Sequence, residues 1–78
     1  MDDKERLRIV IRQMLEHNDV HLKEYEKWAR FAETNHITDA GALLDKAGKY
    51  TESASALLRQ TLNHVSLAKH AGEAEKDM

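Results

Sequence analysis

The chain has 78 residues, with 12 lysine or arginine and 14 aspartate or glutamate side chains, and it contains no proline and no cysteine. This length allows one small domain, and the absence of cysteine excludes disulfide scaffolds, thiolate zinc sites and cysteine catalysis. The near-balanced charge argues against nucleic-acid binding, which needs a clustered basic surface. No apolar run approaches the ~20 residues of a membrane span and no hydrophobic signal region follows Met1, so we expect a cytoplasmic protein.

The first predicted element is a helix over residues 3–34. Proline costs ~3 kcal/mol inside a helix, so its absence permits an element of this length. Apolar side chains recur every three or four residues, which is the helical period, and charged side chains fill the opposite side. The predicted inward stripe consists of Leu7, Ile11, Met14, Asn18, His21, Tyr25, Trp28 and Ala32.

A loop over residues 35–38 is the predicted break in the middle of the chain. Asn35 can adopt the left-handed conformation that ends a helix, and Thr38 suits the N-cap of the next helix. A loop this short forces the two helices to lie antiparallel.

The second predicted helix covers residues 39–70, with Gly72 as its expected stop and a frayed tail over 71–78. Gly48 lies inside this helix, where glycine costs ~1 kcal/mol relative to alanine. We expect Gly48 to allow a close helix contact, the alternative being a break in the helix. The predicted inward stripe consists of Leu44, Ala47, Thr51, Ala54, Leu58, Thr61, Val65 and Ala68.

These elements predict an all-α fold, an antiparallel two-helix hairpin that forms a single domain over residues 1–78. Two helices have too little core to fold comfortably alone, because burial barely offsets the ordering entropy at this size. Between Ser53 and Ala68 the only charged residue is Arg59, which indicates that the second helix is covered on more than one side. We therefore expect self-association, most simply a homodimer that forms a four-helix bundle, although a trimer or tetramer fits the same pattern.

The candidate metal ligands are His17, His21 and Glu24. The two histidines are four residues apart, so both imidazoles project from one face of the helix, and Glu24 follows on that face. Neutral imidazoles bind zinc, nickel, cobalt or copper, and a carboxylate can supply a third ligand or orient an imidazole. In the alternative reading, buried histidine and asparagine side chains hydrogen-bond one another and fix the register of the bundle. No cofactor other than a divalent transition metal is indicated.

A two-fold symmetric dimer would add further histidine ligands to this candidate metal site. If helix 1 packs antiparallel against its own copy with a two-fold axis near Asp19, His17 lies across from His21 of the second chain and four histidines converge.

The chain has no nucleophile elbow, glycine-rich phosphate loop or HExxH pattern. Asn18 also replaces the carboxylate that a di-iron Glu-x-x-His motif needs. We therefore expect a protein that is not an enzyme.

The middle of the first helix carries a recognisable pattern, Glu16-His17-Asn18-x-x-His21-x-x-x-Tyr25-x-x-Trp28-Ala29-x-x-Ala32. It resembles a group of small, uncharacterised two-helix proteins of archaea and bacteria. The resemblance implies a helical hairpin and carries no activity. Gly41 and Gly48 depart from the more regular second helix of that group, which puts the straightness of this helix in question.

Three functional hypotheses follow. The leading one is a small, non-enzymatic, self-associating helical module with a divalent-metal site at His17 and His21. The first alternative is an adaptor that docks an unknown protein partner and has purely structural histidines. The second is a small-molecule-binding bundle with a pocket at Tyr25 and Trp28 beside Glu24. No nucleic-acid or membrane partner is expected.

Overall fold

The computed structural model describes the backbone from Asp2 to Asp77 and the side chains of residues 2–66. Two helices, α1 (Asp3–Thr34) and α2 (Thr38–Asp77), pack against each other along a hairpin 64 Å long. No strand occurs in this part of the chain. The predicted all-α antiparallel hairpin is therefore confirmed.

α1 has the limits that the sequence predicts. Asp2 is its N-cap, and the Asp2 carboxylate accepts a 2.8 Å hydrogen bond from the Glu5 backbone N–H. This bond satisfies one of the donors that a helix start leaves without an intrahelical partner. Asp3 and Glu5 add negative charge in the first turn, where it is favourable.

The turn differs in detail from the prediction, because the left-handed residue is His36 and not Asn35. His36 has a φ of 62°, whereas Asn35 has a φ of −98°. The His36 N–H donates to the Glu33 carbonyl at 3.1 Å, and the Ile37 N–H donates to the Ala32 carbonyl at 2.7 Å. These two bonds form a Schellman motif, which satisfies the last carbonyls of α1 and turns the chain back.

α2 begins at Thr38 and ends at Asp77, outside the predicted limits of 39 and 70. Ile37 takes the N-cap position in place of Thr38, since the Ile37 carbonyl already accepts the Gly41 N–H at 3.0 Å. The helix continues through Gly72. One glycine costs only ~1 kcal/mol, and the alanine, glutamate and lysine residues around it are good helix formers.

The two helices meet along a seam that uses two positions in every seven residues, as in a coiled coil. The seam residues of α1 are Arg8, Ile11, Leu15, Asn18, Leu22, Tyr25, Ala29 and Ala32, and those of α2 are Gly41, Leu44, Gly48, Thr51, Ser55, Leu58, Leu62 and Val65. All sixteen are buried or half-buried. Each predicted stripe contains half of the true seam of its helix. Leu7, Met14, His21 and Trp28, which were predicted to face inward, lie beside the seam and are exposed.

Small residues at every seventh position of α2 explain this difference. Gly41, Gly48 and Ser55 are buried, and a Cβ added at Gly41 would lie 3.4 Å from the Ala29 carbonyl oxygen. A Cβ at Gly48 would lie 3.4 Å from Leu22 Cδ1. Because α2 approaches α1 closely along Gly41, Gly48 and Ser55, the seam of α2 runs through these three residues. The helix is continuous through Gly48, so the structure has the expected close contact and no break.

The hairpin encloses few apolar side chains. Among the described residues, Ile11, Ala29 and Ala32 are the apolar residues that are fully buried, at 2–4% exposure. A core of this size contributes little against the conformational entropy that two long helices lose on folding.

Candidate self-association surface and metal site

One side of the hairpin carries almost no charge. In each helix, two positions in every seven flank the seam on this side, and we call these sixteen positions the apolar face. They are Leu7, Val10, Met14, His17, His21, Glu24, Trp28 and Phe31 on α1, and Ala40, Leu43, Ala47, Tyr50, Ala54, Leu57, Thr61 and His64 on α2. Glu24 is the single charged residue among them.

The opposite flank, which we call the charged face, holds eleven Asp, Glu, Lys or Arg residues in sixteen positions. The positions are Ile9, Arg12, Glu16, Asp19, Lys23, Glu26, Arg30 and Glu33 on α1, and Ala42, Asp45, Lys49, Glu52, Ala56, Arg59, Asn63 and Ser66 on α2. Glu26, Asp45 and Glu52 line one groove between the helices. The charged flanks of both helices therefore meet on one side, and the apolar flanks meet on the other.

Most of the exposed large apolar side chains lie on the apolar face. Eleven such residues of the described part are at least 40% exposed, and the three outside this face are Ile9, Val20 and Ile37. The other eight present on the order of 900 Å² to solvent, close to the roughly 800 Å² that each partner buries in a standard interface. A patch of this size makes the apolar face a candidate interaction surface.

His17 and His21 lie in the middle of the α1 part of the apolar face. Their ring centres are 5.3 Å apart with an interplanar angle of 67°, and the His21 ring stacks on Tyr25 with centres 6.3 Å apart. Both histidines are exposed in the hairpin, because Asn18 and Leu22 occupy the seam beside them. One hairpin alone therefore does not form the buried histidine layer of the alternative reading.

Glu24 lies on the same face, three residues beyond His21, and is also exposed. Within the described part of the chain, no three His, Cys, Asp or Glu side chains are grouped so that they could hold a metal ion. One chain thus brings His17 and His21 together without Glu24. Because a zinc site needs at least three protein ligands, further ligands would have to come from another chain.

A polar contact that the sequence did not predict lies in the seam. Asn18 Nδ2 donates to Ser55 Oγ at 3.2 Å, and Ser55 is 5% exposed. A buried polar pair of this kind fixes the register of two helices. The signal for it was the position of Asn18, seven residues from both Ile11 and Tyr25, in an otherwise apolar repeat.

The aromatic residues of α1 do not share one pocket. Tyr25 is half-buried and lines the groove on the charged face, which encloses about 190 Å³. Trp28 instead packs edge-to-face against Phe31, with ring centres 5.3 Å apart. Neither Glu24 nor Trp28 lines the groove, and small-molecule sites typically hold roughly 300–1,000 Å³. This geometry does not favour a ligand pocket at Tyr25 and Trp28.

The fold and the surface together define an antiparallel helical hairpin with one unpartnered apolar face. In the part of the chain that the structure describes, no helix combines the length and apolar character needed to cross a bilayer. Residues 7–65 match the family described as Domain of unknown function (DUF8180), and the chain belongs to this family. No curated protein and no solved structure matches the chain. The two-helix fold agrees with the fold that the resemblance in the first helix implies.

Proposed function

We propose that this protein is a small, non-enzymatic, cytoplasmic helical module that self-associates through the apolar face into a homodimer, a four-helix bundle. The observation that carries the proposal is the division of charge. The apolar face has one charged residue in sixteen positions, and the charged face has eleven in sixteen. An isolated hairpin would solvate both faces alike, so the division indicates that one face is covered.

The direction of the apolar face suits a four-helix bundle. Successive residues of a helix are rotated by ~100°, so the flanking positions point roughly at right angles to the seam. Each helix of a four-helix bundle contacts neighbours in two such directions. The seam supplies the first contact, and the apolar face supplies the second.

The apolar face also supplies core that the hairpin lacks. Leu43, Tyr50 and Leu57 recur at seven-residue spacing on α2 and are 63–68% exposed. Burial of a leucine side chain contributes about 1.5–3 kcal/mol relative to full exposure. Withdrawal of these residues and of the large apolar side chains of the apolar face on α1 from water therefore favours a dimer.

Light-scattering mass of the size-separated full chain tests this proposal. We expect twice the chain mass of 9.0 kDa. Leu57→Lys is expected to give the monomer mass, because a lysine would be buried in the interface. Leu57 is 63% exposed in the hairpin, so the helices should persist in this variant.

Val20→Lys is the matched control. Val20 is 58% exposed but lies outside the apolar face, so this variant should remain dimeric. A wild-type chain of monomer mass would contradict the proposal and would leave the apolar face for a different protein, as in the adaptor hypothesis. Equal masses for the two lysine variants would count against the apolar face as the interface.

A further inference from the structure

We infer that two copies close about a two-fold axis at the level of Asp19, where His17 and His21 of both chains form a four-imidazole site for a divalent transition metal such as Zn²⁺. This inference rests on the proposed dimer. Each hairpin supplies two ligands, and the site is complete only when the partner supplies the other two. The metal is therefore part of the interface.

The α1 part of the apolar face indicates this register. When α1 packs antiparallel on its copy about Asp19, each of the eight apolar-face positions of α1 lies opposite an apolar-face position of the partner's α1. The pairs are His17 with the partner's His21, Leu7 with the partner's Phe31, Val10 with the partner's Trp28, and Met14 with the partner's Glu24. Bulky aromatic rings then face smaller aliphatic side chains, which favours interdigitation. An axis moved by half a heptad would leave one end of this face unmatched.

The same axis brings small residues of α2 together. The hydrogen bond between Asn18 and Ser55 aligns the helices so that Ala54 is level with Asp19. Ala54 lies on the apolar face and would meet its own copy at the axis. Ala47 and Thr61, seven residues to either side, are also small. The two α2 helices can therefore approach each other while the α1 helices pack.

The histidine rings of one chain already have the spacing that a shared metal requires. Two imidazoles on a tetrahedral zinc, with Zn–N bonds of about 2.0–2.1 Å, have ring centres roughly 5.2 Å apart. The ring centres of His17 and His21 are 5.3 Å apart. The same pair from the partner would fill the two remaining positions. Imidazole ligands suit Zn²⁺, Cu²⁺ and Ni²⁺, and zinc takes the tetrahedral set most readily.

Glu24 acquires a role in this arrangement. It is the one charged residue of the apolar face and lies one helical turn from His21. A carboxylate at this distance can accept the second ring N–H of a ligating imidazole, which orients the ring and raises its basicity. Its negative charge would also be offset by the metal ion.

Titration of the full chain with Zn²⁺ alone tests the site, by calorimetry and by light-scattering mass on the same samples. We expect one Zn²⁺ per two chains and a higher melting temperature. His17→Ala and His21→Ala should each weaken binding at least about tenfold. Both residues are exposed in the hairpin, so neither change should disturb its fold. His36→Ala, in the turn, is the matched control and should bind as the wild type does.

Two results would overturn the shared site: a stoichiometry of one Zn²⁺ per chain, and a dimer that binds no Zn²⁺. The second result would leave the proposed dimer standing. A chain that is monomeric both without and with Zn²⁺ would contradict the dimer and the site together.

A single cysteine tests the register, because the chain has none. Ala54→Cys is expected to form an interchain disulfide under mild oxidation, since this position faces its own copy at the axis. Ala56→Cys lies on the charged face and should not cross-link. Equal cross-linking of the two variants, or none in Ala54→Cys, would overturn the register.

Discussion

His36 is the described non-glycine residue with a positive φ, at 62°. This conformation brings Cβ close to the following carbonyl oxygen and costs an L-residue roughly 1–2 kcal/mol. The neighbouring Asn35 supports the turn, because its Nδ2 and its backbone N–H donate to the Phe31 carbonyl at 2.8 and 3.1 Å. The turn therefore combines a strained residue with well-bonded helix ends.

His36→Gly should raise the free energy of unfolding by about 1 kcal/mol, because glycine adopts a positive φ without a Cβ clash. Urea unfolding followed by circular dichroism measures the change. His36→Ala retains the Cβ and should give no comparable gain. Equal stabilities for the glycine and alanine variants would show that the backbone conformation is not the cause.

The seam between α1 and α2 changes in character along its length. Near the turn it consists of glycine against alanine, with Gly41 beside Ala29. Farther along, the hydrogen bond between Asn18 and Ser55 replaces apolar packing. At its outer end Arg8 Nη1 is buried without a hydrogen-bond partner in the described structure. Because an unpaired buried donor is destabilising, the seam is weakest where it is farthest from the turn.

Gly48→Ala should increase the free energy of unfolding by roughly 0.5–1 kcal/mol, because alanine is the better helix former by ~1 kcal/mol. The new Cβ would lie 3.4 Å from Leu22 Cδ1, the end of a side chain that can adjust. Gly48→Leu should instead destabilise by about 1–3 kcal/mol through overpacking. Thermal unfolding of both variants measures the difference, and a loss in the alanine variant would mean that the helices approach more closely than this spacing allows.

The proposed dimer links folding to association. Within residues 2–66, the hairpin buries three apolar side chains fully, whereas the apolar face exposes eight large ones. Burial of this face is therefore expected to add to the stability of the folded hairpin, so that the stability of the wild-type chain depends on its concentration.

The melting temperature of the wild-type chain should accordingly rise with protein concentration, because association stabilises the folded state by mass action. Melting curves by circular dichroism over a hundredfold range of concentration measure this. Leu57→Lys should melt lower and at a temperature that does not vary with concentration. A wild-type melting temperature that is independent of concentration would argue for a monomeric hairpin.

Helical periodicity and the missing proline were sufficient to predict the hairpin and the limits of α1. They could not predict which residues of α1 form the seam, because both Ile11 and Met14 fit an apolar stripe. The small residues of α2 determine that Ile11 lies in the seam and Met14 lies beside it. The predicted left-handed Asn35 was one residue early, since the same loop composition permits both positions. The pairing of His17 and His21 followed from their spacing. The exposure of these two histidines could not be predicted from their spacing, because it depends on which stripe of α1 the neighbouring helix covers. A count of charges at each heptad position would have separated the apolar face from the charged face.

The three-residue turn also determines the order in which the chain can fold. The contact between Gly41 and Ala29 closes a loop of 12 residues, whereas the bond between Asn18 and Ser55 closes one of 37. The longer closure costs about 1 kcal/mol more in chain entropy. Folding should therefore start at the turn and zip toward the open end of the hairpin, and unfolding should start from that open end. His17 and His21 lie on either side of the midpoint of this path, so the histidine pair is set in its final position only after the part of the hairpin near the turn has formed.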